Sequence, residues 1–396
     1  GNILWDHPLV PDERDLPVDP SSDVPPGFQE TDRGAAEGFV GEVDIMDTWA
    51  TSSLSPQIAC GWGEDDDLFS RTYPMDMRPQ AHDIIRTWLF STAVRSHLEE
   101  DVAPWRHCAL SGWILDPDRK KMSKSKGNVV TPKGLLDQYG SDAVRYWAAN
   151  GRPGTDTAFD EGQMKVGRRL TIKILNASKF VLALAGDSNP NLDLVTEPLD
   201  QALLTRLAAL VETATAAFED FDYARALERT EQFFWGFTDD YVELVKARAY
   251  GSQGPAAAAS AHASLATALD TLLRLFAPFL PFVTAEVWSW ANSESIHRSQ
   301  WPDHQGLSSQ LNSAIDTTVL DAAAQTLSEV RKAKTEAKRS LRVMAERVLV
   351  TAPREHLDLI ELVRSDLMEA GHISTLELVE QHDASPEVQV TLAPDE

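Results

Sequence analysis

The sequence predicts an α/β layer, then an all-α helical bundle, then a small closing α/β unit. Three observations carry this. "HCALSGWIL" (107–115), a Lys/Ser/Gly loop and "TPKGLLDQYGSDAVRYWAAN" (131–150) follow one another as strand, loop and helix, the order of an α/β layer. Ala/Leu-rich stretches at 205–250 and 256–290 place apolar residues at helical spacing and lack strand-type alternation. "ERVLVTA" (346–352), "STLELV" and "EVQVTL" then alternate like strands around a helical stretch.

In chain order, residues 1–40 are rich in Pro, Asp and Gly and read as an irregular surface-crossing segment. "HDIIRTWLFSTAVRSHL" (82–98) reads as an amphipathic helix with Ile84, Ile85, Trp88, Leu89 and Val94 at helical spacing. Residues 107–115 read as a buried strand, followed by an Asp-Pro turn, and 131–150 as one or two short helices. "GSQGP" (251–255) separates two bundle helices, and "HLDLIELVRSDLMEAG" (356–371) reads as one helix closed by Gly371. These boundaries divide the chain into 1–42 (connecting segment), 43–152 (α/β), 153–342 (helical) and 343–396 (small α/β).

The 396 residues carry 43% hydrophobic and 24% charged side chains, ordinary for a globular protein with more than one core. The richest apolar stretch, "LLRLFAPFLPFV" (272–283), is broken by two prolines and is too short to cross a bilayer. Two cysteines, Cys60 and Cys108, cannot form a disulfide framework, so a reducing, cytoplasmic setting is expected. No histidine or cysteine falls at metal-ligand spacing, and no structural metal is predicted. A net charge of −25 argues against non-specific nucleic-acid binding, which depends on counterion release by Lys and Arg. The charge is uneven, however. Residues 1–67 oppose their carboxylates with Arg14 and Arg33 alone, while basic residues gather at 119–133, 165–179 and 331–342. Such local patches still allow a specific nucleic-acid partner.

The most informative patch is "KKMSKSKGN" (120–128). Lysine ammonium groups on flexible stems suit phosphate oxygens that gain negative charge, and Ser, Gly and Asn let the backbone approach and move. A Lys/Ser run is usually a solvated turn. A match to all five residues of Lys-Met-Ser-Lys-Ser has a chance expectation on the order of 10⁻⁴ in a chain this long.

With its continuation "KGNVVTP", this stretch resembles the second signature of class I aminoacyl-tRNA synthetases. "DIMDTWATSS" (44–53), "HDIIRTWLF" (82–90), "SGWILDPDRKKMSKSKGNVV" (111–130), "LLRLFAPFLPFVTAEVW" (272–288) and "SIHRSQWP" (295–302) are similar to the valine–tRNA ligases in particular. The resemblance reaches to about residue 345. It implies the second half of a Rossmann-like catalytic domain followed by an α-helical anticodon-binding bundle. It implies ATP with Mg²⁺, valine and the tRNA for valine as substrates. Lys121 and Lys124 are the expected catalytic pair, stabilising the ATP phosphates, with Met122, Ser123, Lys124 and Ser125 forming the loop around them. Asp83 matches the position that meets the ATP ribose, although Ala81 stands where the family often has glycine. Trp49, Ile84 and Trp88 match the walls of the valine pocket, and a four-residue spacing would give Ile84 and Trp88 one helical face. Trp105 and Trp113 are expected in the core. Lys246 and Arg248, beside the aromatics of "FFWGF", and Arg331, Lys332 and Lys334 are candidates for the tRNA backbone.

The family's first signature, His-x-Gly-His, does not occur in the sequence, and the family's editing insertion is not matched. The chain therefore reads as the C-terminal portion of such an enzyme. On its own it is expected not to catalyse valine-dependent ATP–pyrophosphate exchange. The alternative is a non-catalytic tRNA-binding protein descended from a class I synthetase, and isoleucine is the nearest substrate rival.

Overall fold

In the computed structural model the chain divides into two compact units, Gly1–Leu110 and Ser111–Glu396. The structure describes residues 2–44, 47–123, 127–185, 191–311, 314–382 and 385–394.

The opening of the first unit is irregular and wound about Arg33. Its guanidinium donates to the carbonyls of Pro20 and Asp23, each at 2.9 Å, pairs with Glu30 and lies over the Phe39 ring. Three short helices follow. Helix α1 (Thr48–Ser52) is capped by Asp47, α2 (Ser55–Ala59) carries Pro56 in its first turn, and α3 (Asp66–Thr72) is capped by Asp65. Strands β1 (Met75–Ala81) and β2 (Trp105–Ser111) form a two-stranded sheet.

The helix expected over 82–98 is three pieces: a 3₁₀ turn His82–Ile84, a π turn Ile85–Leu89, and α4 (Phe90–Glu100). Ile84 and Trp88 thus lie in different kinds of turn, and the shared α-helical face inferred from their spacing is corrected. The buried strand expected over 107–115 is corrected too. With one hydrogen-bonded neighbour, β2 stays largely half-buried or exposed, and Gly112 interrupts the run before β3 (Ile114–Leu115). A Cβ at Gly112 would sit 2.2 Å from the Thr155 carbonyl oxygen, so only glycine permits this backbone approach.

In the second unit α5 (Pro132–Tyr139) and α6 (Ser141–Ala149) meet at Gly140, whose φ of 86° suits glycine, and β4 (Thr157–Ala158) pairs parallel with β3. The bundle comprises α7 (Glu161–Ala185), α8 (Pro198–Glu219), α9 (Tyr223–Gly236), a π turn Phe237–Tyr241, α10 (Val242–Ala249) and α11 (Pro255–Phe276). It continues with α12 (Pro281–Ser289), α13 (His304–Ser308) and α14 (Val319–Glu336). Asp142 of α6 accepts hydrogen bonds from the Phe282 and Val283 N–H groups, capping α12, while Arg145 donates to the Pro278 and Phe279 carbonyls.

The chain closes with β5 (Ala345–Ala352), α15 (Arg354–Leu362), α16 (Arg364–Gly371), β6 (Ile373–Glu380) and β7 (Glu387–Leu392). In this sheet β5 is central, parallel to β6 and antiparallel to β7. The single helix expected over 356–371 breaks at Val363, and His372, not Gly371, takes the left-handed capping position at φ 48°. One apolar core runs from Tyr146 through α7, α8 and α11 into β5, α15 and β6, so the bundle and the closing α/β unit share it.

Candidate functional site

The lysine loop is built from its two ends. Asp116 ends the strand run, and its carboxylate accepts the Lys120 N–H at 2.7 Å and the Asn128 side-chain amide at 2.8 Å. Asn128 in turn accepts the Ser123 N–H at 3.0 Å and donates to the Lys121 carbonyl. Residues 116 and 128 are thereby pinned together at the base of the loop. Those two contacts, the Lys120 N–H first, hold the Asp116 carboxyl below the usual range. Sequence reasoning gave Asp116 no role and read Asn128 as freeing the loop, whereas its side chain ties the loop's base together.

Lys121 is exposed, and its ammonium stands 4.1 Å from the centre of the Trp113 ring. Trp113 is half-buried and serves as a platform for this cation, which corrects its expected place in the core. Met122 and Ser123 are half-buried beside it. Lys124 and Ser125 lie outside the described residues.

In the first unit, Asp83 is exposed on the 3₁₀ turn and Ile84 is half-buried. The Trp88 indole N–H donates to the Ser52 carbonyl at 2.8 Å, which seats α1, and with it Trp49, against the π turn. Trp49 is 37% exposed, so the structure holds it on an open surface. The Arg78 guanidinium stacks 3.5 Å from the centre of the Trp88 ring, a partner the sequence did not reveal. Trp88 is thus fixed by an edge hydrogen bond and a face contact.

The five cations nominated for tRNA separate into two groups. Arg248 is fully buried, gripping Asp200 through both terminal nitrogens at 2.8 Å and Asp366 through Nε at 2.9 Å. Lys334 is 1% exposed and donates to the Leu341 and Gly371 carbonyls. Neither can reach a nucleic acid, and both assignments are corrected: these cations tie the bundle to the closing α/β unit. Lys246, half-buried over the Phe180 ring, Arg331, bonded to the Asp239 carbonyl, and the exposed Lys332 remain on the bundle surface. Among the described residues, no cluster of His, Cys, Asp and Glu could hold a metal ion, and no helix is long and apolar enough to cross a membrane.

Residues 26–160 match the family model of class I tRNA synthetases (I, L, M and V), and residues 200–349 match the anticodon-binding domain of tRNA ligases. Valine–tRNA ligase of Thermobifida fusca is 58% identical over 397 residues, covering 100% of this chain. That of Salinispora tropica is 55% identical over 395 residues, covering 96%. The chain belongs to the valine–tRNA ligase family. It spans 45% of the first relative's length and 46% of the second's. A LeuRS–tRNA–LeuAMS complex from Agrobacterium radiobacter shares the fold at a TM-score of 0.57 and 19% identity, over 69% of this chain and 35% of that one. The valine–tRNA ligase match covers both units. The lysine loop falls within the synthetase model, and Lys246, Arg331 and Lys332 within the anticodon-binding model.

Proposed function

We propose that this chain serves the ATP-dependent ligation of valine to its tRNA through a valyl-adenylate, working together with the portion of the relatives' length that it does not span. The valine carboxylate attacks the α-phosphorus of ATP, brought with Mg²⁺, and pyrophosphate leaves. The terminal ribose hydroxyl of the tRNA then displaces AMP. Negative charge grows on the phosphate oxygens in the first step, so a preorganised ammonium lowers its barrier.

The observation that carries this reading is the closed base of the lysine loop. Asp116 and Asn128 fix its ends, and the Trp113 ring holds the Lys121 ammonium at the surface. In this reading Lys121 and Lys124 clamp the phosphates with Met122, Ser123 and Ser125 around them, and Asp83 meets the ribose. Trp49, Ile84 and Trp88 wall the valine side chain. Lys246, Arg331 and Lys332 contact the tRNA backbone.

The test joins this chain covalently to the portion of the Thermobifida fusca relative outside the match and measures amino-acid-dependent ATP–pyrophosphate exchange. Exchange with valine in preference to isoleucine, reduced about 100-fold or more by Lys121→Ala, is the expected result. A fusion that charges no valine yet binds the tRNA would replace this reading with a non-catalytic tRNA binder.

A further inference from the structure

Helix α4 is amphipathic in the wrong sense for the chain as it stands. Thr92 and Ser96, four residues apart, form its buried side. Thr92 donates to the Trp88 carbonyl, and Ser96 donates to the Val102 carbonyl and meets the Tyr73 hydroxyl at 2.5 Å. On the opposite side Phe90, Val94 and Leu98 repeat at the same four-residue spacing and are 61%, 42% and 77% exposed. A helix in water is expected to turn its apolar stripe inward and its hydroxyls outward. Here Ser96 is held by groups outside the helix, so rotating the helix would not bury the stripe without separating Ser96 from the Val102 carbonyl and the Tyr73 hydroxyl.

The surroundings agree. Among the described residues of Gly1–Leu110, Phe39, Pro56, Cys60 and Pro104 are the buried apolar side chains, and the sheet whose two strands α4 connects is marginal without a covering layer. More than half of the Thermobifida fusca relative's length lies outside the match. We infer that the Phe90–Val94–Leu98 face of α4 is a docking surface for that remaining polypeptide, which covers it with an apolar layer. This rests on the proposed function insofar as the occupant is the rest of the same enzyme. Three apolar side chains four residues apart share one side of the helix, the kind of apolar face that docks into a groove.

The experiment co-expresses a tagged copy of the unmatched portion of the Thermobifida fusca relative with this full chain and measures co-purification. Wild-type chain is expected to co-purify, and Val94→Asp and Leu98→Asp to reduce recovery at least tenfold. Both positions are exposed, so the far-ultraviolet circular dichroism of the chain alone should not change. Leu362→Asp, at an exposed apolar position in the closing α/β unit, should leave recovery unchanged. Three results would overturn the inference: no co-purification of the wild type, equal recovery of the α4 variants, or a dimer of this chain alone that Val94→Asp dissolves. The covalent fusion keeps both portions on one molecule. Its exchange activity therefore reports the proposed function even where the separate portions fail to associate.

Discussion

The two units bury their side chains in opposite ways. Ser111–Glu396 closes a continuous apolar core and stitches it with buried ions, Arg248 between Asp200 and Asp366 and Lys334 on two carbonyls. Gly1–Leu110 instead fixes its shape by polar and aromatic contacts near the surface, such as Arg33 on Phe39, Trp88 on Ser52 and Arg78 on Trp88, and leaves its apolar stripe in water. The second unit stores its stability inside the chain, whereas the first depends on what covers it.

Native-state hydrogen exchange gives the widest test of that difference. Amides of α11 should exchange only through global unfolding, and those of β1, β2 and α4 through local opening, several orders of magnitude faster. Comparable protection in both units would break the comparison.

Removing one buried ion should have the next largest effect. Arg248→Ala leaves Asp200 and Asp366 facing each other without a counter-charge and should cost roughly 3–5 kcal/mol in chemical denaturation. Adding Asp200→Ala to that variant should recover part of the loss, because Asp200 is the carboxylate gripped by two nitrogens.

A smaller loss tests the loop base. Asn128→Ala removes the partner of both Asp116 and the Ser123 N–H and should cost about 1–2 kcal/mol. Trypsin should cut at Lys120 and Lys121 faster in that variant, with the bundle left intact.

The smallest effect concerns pH. Burial, then Lys334 and Arg342, lowers the His372 pKa, and burial lowers that of His356. Below the unfolded value of about 6.5 the unfolded chain binds protons that the folded chain resists. These groups therefore contribute stability above about pH 6.5, and it is lost as pH falls toward their lowered folded values. His372→Asn, which tolerates the left-handed cap, should flatten the thermal midpoint's dependence on pH between 7.5 and 5.5. An unchanged slope would show that His372 does not contribute to this pH dependence.

Much of this was legible in the chain itself. Helical spacing located the bundle, alternation located β5, β6 and β7, and five consecutive residues, Lys121 to Ser125, marked the loop and its family. Spacing is a local property and survives being read in one dimension. It failed where the backbone left a regular period, as at the π turn that separates Ile84 from Trp88 and at the break at Val363.

The fate of a charge was not legible. Lys246, Arg248, Arg331, Lys332 and Lys334 look alike as residue types on helices. Only packing against Asp200, Asp366 and the Gly371 carbonyl separates the buried structural cations from the exposed ones. The same holds for Asp116, Asn128 and Trp113, whose roles come from meeting the loop in space. Sequence by itself located the helical bundle, the strands of the closing sheet and the lysine loop, and marked the family to which the loop belongs. Tertiary structure decided which polar groups face one another, because desolvation and hydrogen-bond partners depend on residues distant in the chain.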